Sequence, residues 1–255
     1  MYFIYRLNRK SIIRLVAIAL LIVCLIMLSA TGAHAVFMGS SLKKLPIYSV
    51  EREEKYVSIS FDCAWGTDYT DKLLEIMQAE NVYCTFFMVE FWAEKYPEYV
   101  KKISEYGHEI GTHSASHPHM SKLNKTAIEK ELTTSKNCIE QITGKKVKLF
   151  RAPFGEYNDT VIETASSLGL YTIQWDVDSL DWKNYSALKI RQRVLSKVKN
   201  GSIVLFHNQG LNTAEALPVI IKDLKAQGYT FVPISKLIYL DDYYIDVNGR
   251  QHKNS

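Results

Sequence analysis

The stretch YVSISFDCAWGTDYTDKLLEIMQAENVYCTFFMV, residues 56–89, decides the fold. Its opening, Tyr56 to Phe61, is short and rich in β-type residues. Asp71 to Glu80 then carries apolar residues at helical spacing, and Tyr83 to Val89 is aromatic and apolar enough for a buried strand. Strand, helix, strand in this compass reads as a βαβ unit. Working outward, the rhythm continues. A helix through 97–107 precedes a short strand at 108–113, and a long amphipathic helix spans 125–143 and stops at Gly144. A strand at 147–153 is followed by a helix opened by Asn158 or Asp159 and closed by Gly169. Strands at 170–177 and 202–207 flank a helix over 186–198 with Ser186 as its cap. A helix over 212–228 and a last strand at 229–235 complete the series. Strands alternating with helices imply a parallel sheet covered by crossover helices. About seven such units favour a closed or nearly closed (β/α) barrel over an open sheet, and chemistry then belongs at the C-terminal ends of the strands.

The N-terminus is of another kind. Arg6, Arg9, Lys10 and Arg14 precede an uncharged apolar run, and Ala33-His34-Ala35 has the small-x-small form of a processing site. Ile12 to Ala30 is about 19 residues, just enough for a helix across a bilayer. A cleaved signal and a retained anchor both fit, with the long basic region favouring the anchor, so the rest of the chain is expected outside the cytoplasm. The expected organisation is a signal or anchor over 1–35, a linker over 36–54, a catalytic domain over 55–240 and a tail over 241–255. With 47% hydrophobic and 23% charged residues the chain is otherwise of ordinary globular composition. The basic N-terminal residues account for the net charge of +4, so no nucleic-acid footprint is expected. Cys63, Cys84 and Cys138 have no repeated spacing and make no disulfide framework.

Reactive side chains gather at the predicted strand ends. Asp62 follows the first strand, His113 the third, Arg151 the fourth; Asp176, Asp178, Asp181 and Trp182 follow the fifth, and His207 ends the sixth. His113 and His117 stand four apart in GTHSASHPHM (residues 111–120) and can converge on one zinc-like ion if the chain turns after the strand. His119, after Pro118, is read as surface, and His108, at the start of its strand, as structural. Hydrolysis at a metal site needs an open position for water, a base and often a separate acid. Asp62 suits the base, Arg151 can hold it by a bidentate pair, and His207 suits the acid. The glutamate of an H-E-x-x-H peptidase is absent, because Ser114 and Ala115 stand between the histidines. A two-carboxylate glycosidase built on Asp62 and Asp181 leaves the histidine pair without a role.

With these residues assembled, the chain resembles the NodB-type polysaccharide deacetylases over roughly 56–237. The motifs run in the family's order: SFDCAWG, HSASH, RAPFG, DSLDW and LFH. The resemblance implies a distorted (β/α) barrel that removes acetyl groups from cell-wall sugars with a divalent ion, usually zinc. It implies Asp62 as base, His207 as acid tuned by Asp181, Arg151 orienting Asp62, and His113 and His117 as ligands. The backbone N–H of Phe154 would serve the oxyanion, and Pro153, Trp182 and Leu205 would line the acetyl pocket. One departure stands out: the family's first motif usually has two adjacent acids, the second a metal ligand, whereas here Cys63 follows Asp62. Asp68 could supply the missing carboxylate, Cys63 could ligate as thiolate, or neither does. A glycan-binding barrel without turnover is the alternative function. The expected substrate is peptidoglycan, and the motif wording resembles the branch found in spore-forming bacteria. N-acetylglucosamine and N-acetylmuramic acid are not distinguished, nor is an oligomeric state.

Overall fold

A computed structural model describes residues 9–39 and 43–254, the side chains of 11 and 28–39 excepted. The chain divides into two units, 1–43 and 44–255. In the first, Arg9–Gly39 forms helix α1, whose side chains from Leu15 to Met27 are apolar and exposed. The expected span to Ala30 runs past the described side chains. Among the described residues no helix is long and apolar enough to cross a membrane.

The second unit begins with strands β1 (Ser49–Val50) and β2 (Tyr56–Cys63), helix α2 (Thr70–Ala79) and strand β3 (Thr85–Met88). Helices α3 (Glu90–Lys95) and α4 (Pro97–Glu105), strand β4 (Glu109–Thr112), helix α5 (Lys125–Thr143) and strand β5 (Leu149–Phe150) follow. Then come α6 (Asp159–Ser167), β6 (Tyr171–Thr172), β7 (Val177–Asp178), α7 (Ala187–Leu195), β8 (Ser202–His207) and α8 (Thr213–Ala226). The unit ends with β9 (Thr230–Phe231), α9 (Ile234–Leu237), β10 (Tyr243–Ile245) and β11 (Arg250–Lys253). Local chemistry sets the helix limits where the sequence marks them. The side chains of Asn124 and Asn158 accept N–H bonds of 2.9 and 3.0 Å from Ala127 and Val161, starting α5 and α6. Gly144, in the left-handed region at φ 67°, ends α5.

Strands β8-β2-β3-β4-β5-β6 pair in parallel in that order, and β7 lies on the free side of β8. Strands β6 and β7, consecutive in the chain, do not pair, so the sheet curls without closing. The seam is stitched by residues 47–50. The Ile47 N–H donates to Thr172 O at 2.9 Å, Gln174 N–H to Ile47 O at 2.7 Å, and Val50 N–H to Gly201 O at 2.9 Å. The fully closed form of the expected barrel is therefore corrected to a curled, open one. The physical reason is the split of the expected strand 170–177, whose chain leaves β6 after Thr172 to meet Ile47. Segments expected as linker and tail also carry sheet: β1 pairs with β11, and β10 and β11 form a hairpin.

Alternation along β2 divides its side chains cleanly. Val57, Ile59, Phe61 and Cys63 enter the core shared with the helices, where Phe61 stacks on Phe86 and Phe206 at centroid distances of 5.0 and 5.8 Å. Such pairs add about 0.5–1.5 kcal/mol each beyond their burial. Ser58, Ser60 and Asp62 fall on the other face, inside the curl. There Phe87, Leu149, Ile173 and Ile203 form a second core, plugged from below by Ile234 and Leu237 of α9. Gly111 of β4 lies on this inner face, where a Cβ would collide with the ring of Phe87 and the carbonyl of Leu149. The interior is thus a packed apolar base with a polar layer at the strand C-termini.

Candidate active site

Asp62 and His207 are register partners on adjacent parallel strands β2 and β8, so both side chains leave the same face of the sheet at its C-terminal end. Each has its own orienting partner. Asp62 Oδ1 accepts from Arg151 Nη1 at 2.8 Å. Arg151 is fully buried, a situation tolerated when the charge is paired; Nη1 and Nη2 carry its bonds, while its buried Nε has no partner among the described residues. Its Nη2 donates to Ser60 Oγ at 2.9 Å and to Gln174 O at 3.1 Å, and the guanidinium lies 4.1 Å from the centre of the Phe87 ring. Burial alone pushes the Asp62 carboxyl up. The charges of Arg151, His113 and His207, with the Arg151 hydrogen bond, outweigh burial and hold it below the usual carboxylate range.

His207 Nδ1 faces Asp181 Oδ1 at 2.8 Å. Asp181, also fully buried, accepts on Oδ2 from the His207 backbone N–H at 2.8 Å and from Thr213 Oγ1 at 2.7 Å. Burial disfavours the imidazolium, but the hydrogen bond and charge of Asp181 outweigh it and raise the His207 pKa above the ordinary histidine value. Gly210 is required beside this pair, since a Cβ there would strike Thr213 Oγ1 and Asp181 Oδ2. An ionised carboxylate and a readily protonated imidazole thus stand next to each other, poised to accept and to donate protons near neutral pH.

His113, 3% exposed, follows β4 and reaches the same layer. Its Nδ1 lies 2.7 Å from the carbonyl oxygen of Arg151, and its Nε2 lies 3.6 Å from Asp62 Oδ2. Burial, reinforced by neighbouring His117 and Arg151, lowers its pKa to about 4 against the attraction of Asp62. His117 is half-buried on the following loop with φ 57°, its ring centre 5.0 Å from that of His113 and 4.6 Å from that of Phe154. Burial lowers its pKa as well. Glu131 of α5 holds this loop by accepting from the backbone N–H groups of Ala115 and Ser116 and the Ser116 hydroxyl, at 2.9, 2.8 and 2.7 Å. His119 is exposed, stacks on Phe154 at 4.6 Å and faces Glu156 at 2.9 Å.

The remaining expected residues divide. Pro153 is buried, and Phe154 takes a left-handed conformation (φ 59°) that leaves its ring 59% exposed. Trp182, 55% exposed, sits on the turn after the buried Asp181, and Leu205 faces inward on β8, where it is the register partner of Ser60. Cys63 is fully buried on the helix side of β2, opposite in parity to Asp62, and burial followed by the Asp62 charge raises its thiol pKa well above the ordinary value. Asp68 is exposed and its carboxylate accepts from the Gln209 side chain. Among the described residues, no three His, Cys, Asp or Glu side chains converge to hold a metal as they stand. Neither candidate for a third ligand is brought to the histidine pair.

Of the two further acids read at the rim, Asp176 lies elsewhere, whereas Asp178 ends β7 beside Leu205 and its charge adds to those raising the His207 pKa. Asp176 accepts from Ser202 Oγ and the Ile203 N–H at the start of β8, the end of the strand far from His207. Asp178 accepts from the Leu180 N–H in its own turn. Sequence reasoning passed over Trp65, 66% exposed, with its ring 5.3 Å from Phe91 and 6.3 Å from His117. It also passed over Ser60 and Glu131, whose roles depend on partners distant in sequence.

The donor chemistry fits a divalent cation in part. His113 and His117 are neutral-leaning imidazoles beside an ionised carboxylate, and the His113 Nδ1 contact with a carbonyl is the outer support typical of a ligating histidine.

Comparison with known proteins agrees with this geometry. Residues 49–173 match the family model described as Polysaccharide deacetylase. A protein of Bacillus cereus named peptidoglycan-N-acetylglucosamine deacetylase is 35% identical over 196 residues, covering 75% of this chain and 92% of that protein. The uncharacterised protein YlxY of Bacillus subtilis is 37% identical over 198 residues, covering 78% of this chain; the chain spans only 62% of YlxY. Among solved structures, BA3943 of Bacillus anthracis, described as a CE4 family pseudoenzyme, superposes with a TM-score of 0.74 at 35% identity, covering 82% of this chain and 73% of that one. A BA3943 mutant is described as having restored enzymatic activity. With curled parallel sheet, polar rim and these likenesses in accord, the chain belongs to the polysaccharide deacetylase family of hydrolases.

Proposed function

We propose that the protein removes N-acetyl groups from the amino sugars of peptidoglycan on the outer side of the cell membrane. The observation that carries this reading is the pairing of Asp62 with His207 across adjacent strands, each with a separate orienting partner. Asp62, fixed by Arg151, takes a proton from the attacking water. His207, held and charged by Asp181, returns a proton to the departing sugar nitrogen. The backbone N–H of Phe154 meets charge on the carbonyl oxygen, a donor worth ~2.7–4 kcal/mol when well placed. Pro153, Trp182 and Leu205 enclose the acetyl methyl group. His113 and His117 hold a divalent ion, zinc or a like metal, which when bound supplies polarisation of water and carbonyl. The segment 1–35 is proposed as signal or anchor, and the catalytic domain expected over 55–240 is proposed to include the strands that the flanking segments add to its sheet, Ser49–Val50, Tyr243–Ile245 and Arg250–Lys253.

A second reading is glycan binding without turnover. It is favoured by the buried, protonated Cys63 where the family usually has a second acid, and by the likeness to a protein described as a pseudoenzyme. Acetate release from purified peptidoglycan fragments, with zinc supplied, decides between the two. Wild type should release acetate without new reducing ends, and Asp62→Asn should not. Saturable fragment binding by wild type with no acetate would establish the second reading in place of the first.

A further inference from the structure

At the N-terminal ends of β4 and β5, the end of the sheet remote from Asp62 and His207, a cleft of about 320 Å³ opens between the α4–β4 turn, the α5–β5 turn and α9. Its wall is basic. Lys145, Lys146, Lys148 and Lys236 line it, and among the lining residues Glu109 is the one acid. Glu109 is engaged by the fold, its Oε2 accepting from the Thr85 hydroxyl at 2.8 Å and the Ser235 N–H at 3.1 Å. Lys146 Nζ pairs with Glu140 at 2.7 Å, whereas Lys145 Nζ donates to the Ser104 carbonyl at 2.9 Å and keeps its charge unneutralised. Lys148 and Lys236 are exposed, and their ammonium groups take no protein partner among the described residues. Lysines alone describe a solvated face; a buried imidazole makes this one a site. His108 lines the same cleft at 4% exposure. The backbone N–H of Cys84 can only donate, and it meets His108 Nδ1 at 3.3 Å. Nδ1 therefore accepts, and the neutral ring carries its hydrogen on Nε2. That donor takes no partner among the described residues. The rings of Phe86 and Tyr83, with centres 5.4 and 6.3 Å away, flank the imidazole. A donor so withdrawn from water calls for an acceptor.

We propose that this cleft binds a phosphoryl anion, with His108 Nε2–H donating to one oxygen and Lys145, Lys148 and Lys236 surrounding the charge. The ammonium groups come from two segments and the imidazole from a third, so the anion has to offer oxygens on several sides. A tetrahedral phosphate ester does so. A planar carboxylate offers two oxygens in one plane, a shape matched by the fork of arginine and not by lysine, which acts as a point charge. The volume lies at the lower end of the roughly 300–1,000 Å³ of small-molecule sites, room for a phosphate and a short piece of the chain esterified to it. A lipid headgroup and a soluble phosphodiester polymer share this chemistry. Cleft and rim stand at opposite ends of the strands, so a phosphoryl group held here uses none of the residues assigned to hydrolysis. It tethers the domain by its base and leaves the rim free to meet glycan.

Histidine ring resonances of the full chain, followed by NMR as inorganic phosphate is added, test the site. The His108 signal should move saturably, and its titration midpoint should rise from about 4, because a bound anion favours the imidazolium. Lys148→Gln combined with Lys236→Gln should weaken phosphate about tenfold or more, as expected for the loss of two charged donors. Both lysines are exposed, so the double variant should melt with wild type. Lys189→Gln combined with Lys197→Gln, the same change of charge on and just after α7, should weaken phosphate less than about twofold. Two further probes separate the sources. Lysine-dependent binding to phosphatidylglycerol vesicles in excess of phosphatidylcholine vesicles supports the proposal and assigns a headgroup. Lysine-dependent binding of a glycerol phosphate oligomer supports it and assigns a polymer. A His108 signal that ignores phosphate, or equal weakening in the two double variants, would overturn the proposal.

Discussion

Replacing Arg151 with methionine should destabilise the protein severely, because it strands the Asp62 charge. Asp62 is 7% exposed and Arg151 wholly buried, and the guanidinium supplies the 2.8 Å bond as well as the largest favourable charge acting on the carboxylate. Ser60 and Gln174 lose a donor at the same time. Removing one partner of such a pair typically costs about 3–5 kcal/mol, which for a domain of this size is a melting-point loss of about 6–20 °C. The loss should depend on pH with a definite sign. A carboxyl held below its unfolded pKa contributes stability above about pH 4 and surrenders it as pH falls through the folded value. The gap between wild type and Arg151→Met should therefore be full at pH 7 and close in acid. Asp62→Asn added to Arg151→Met should recover part of the loss, since the neutral pair leaves no unpaired charge. Urea denaturation of the metal-free proteins from pH 3 to 7 measures all three. A loss below about 1 kcal/mol at pH 7, or a gap that widens in acid, would refute the assigned buried pair.

Other outcomes follow from the same layer. His108 and His113 both have pKa values lowered to about 4 from 6.5, chiefly by burial. The unfolded chain takes up protons at these rings below pH 6.5 while the folded one resists until about 4. Metal-free stability should thus fall by up to about 3 kcal/mol per ring across that window. His108→Asn, which preserves an acceptor for the Cys84 N–H, should flatten the profile measured by thermal denaturation. Asp181→Asn removes the group that raises the His207 pKa, so the His207 resonance should titrate at lower pH, with the alkaline limb of any acetate-release profile moving down with it. An unmoved His207 titration would remove Asp181 from its role. Trp182→Ala should weaken chito-oligosaccharide binding about fivefold in calorimetry, matching about 1 kcal/mol for one exposed aromatic face.

Elements whose cause is local were legible in the sequence. The caps at Asn158 and Ser186 and the stop at Gly144 need only neighbours, and they stand where the pattern placed them. The convergence of Asp62, Arg151, His113, Asp181 and His207 was legible too, because strand ends in a parallel sheet share one rim. Hidden were features decided by distant pairing. The run 170–177 reads as one strand until Ile47 takes Ile173 out of line, which carries Asp176 to the wrong end of β8 for chemistry. Glu131 reads as one more polar residue of α5 until the loop after β4 folds onto it. The orientation of Cys63 follows from strand parity. Its adjacency to Asp62 in sequence had pointed the other way.

The stitch at residues 47–50 bears on how the domain is trimmed for study. A fragment cut at 55–240 would lack both the strip that bonds to Thr172, Gln174 and Gly201 and the hairpin beyond it. The freed backbone groups along Ile173 and the outer side of β8 would form a raw edge, an invitation to pair with the next molecule. Soluble material is expected from fragments that begin near Lys44, and sticky aggregates from those that begin ten residues later.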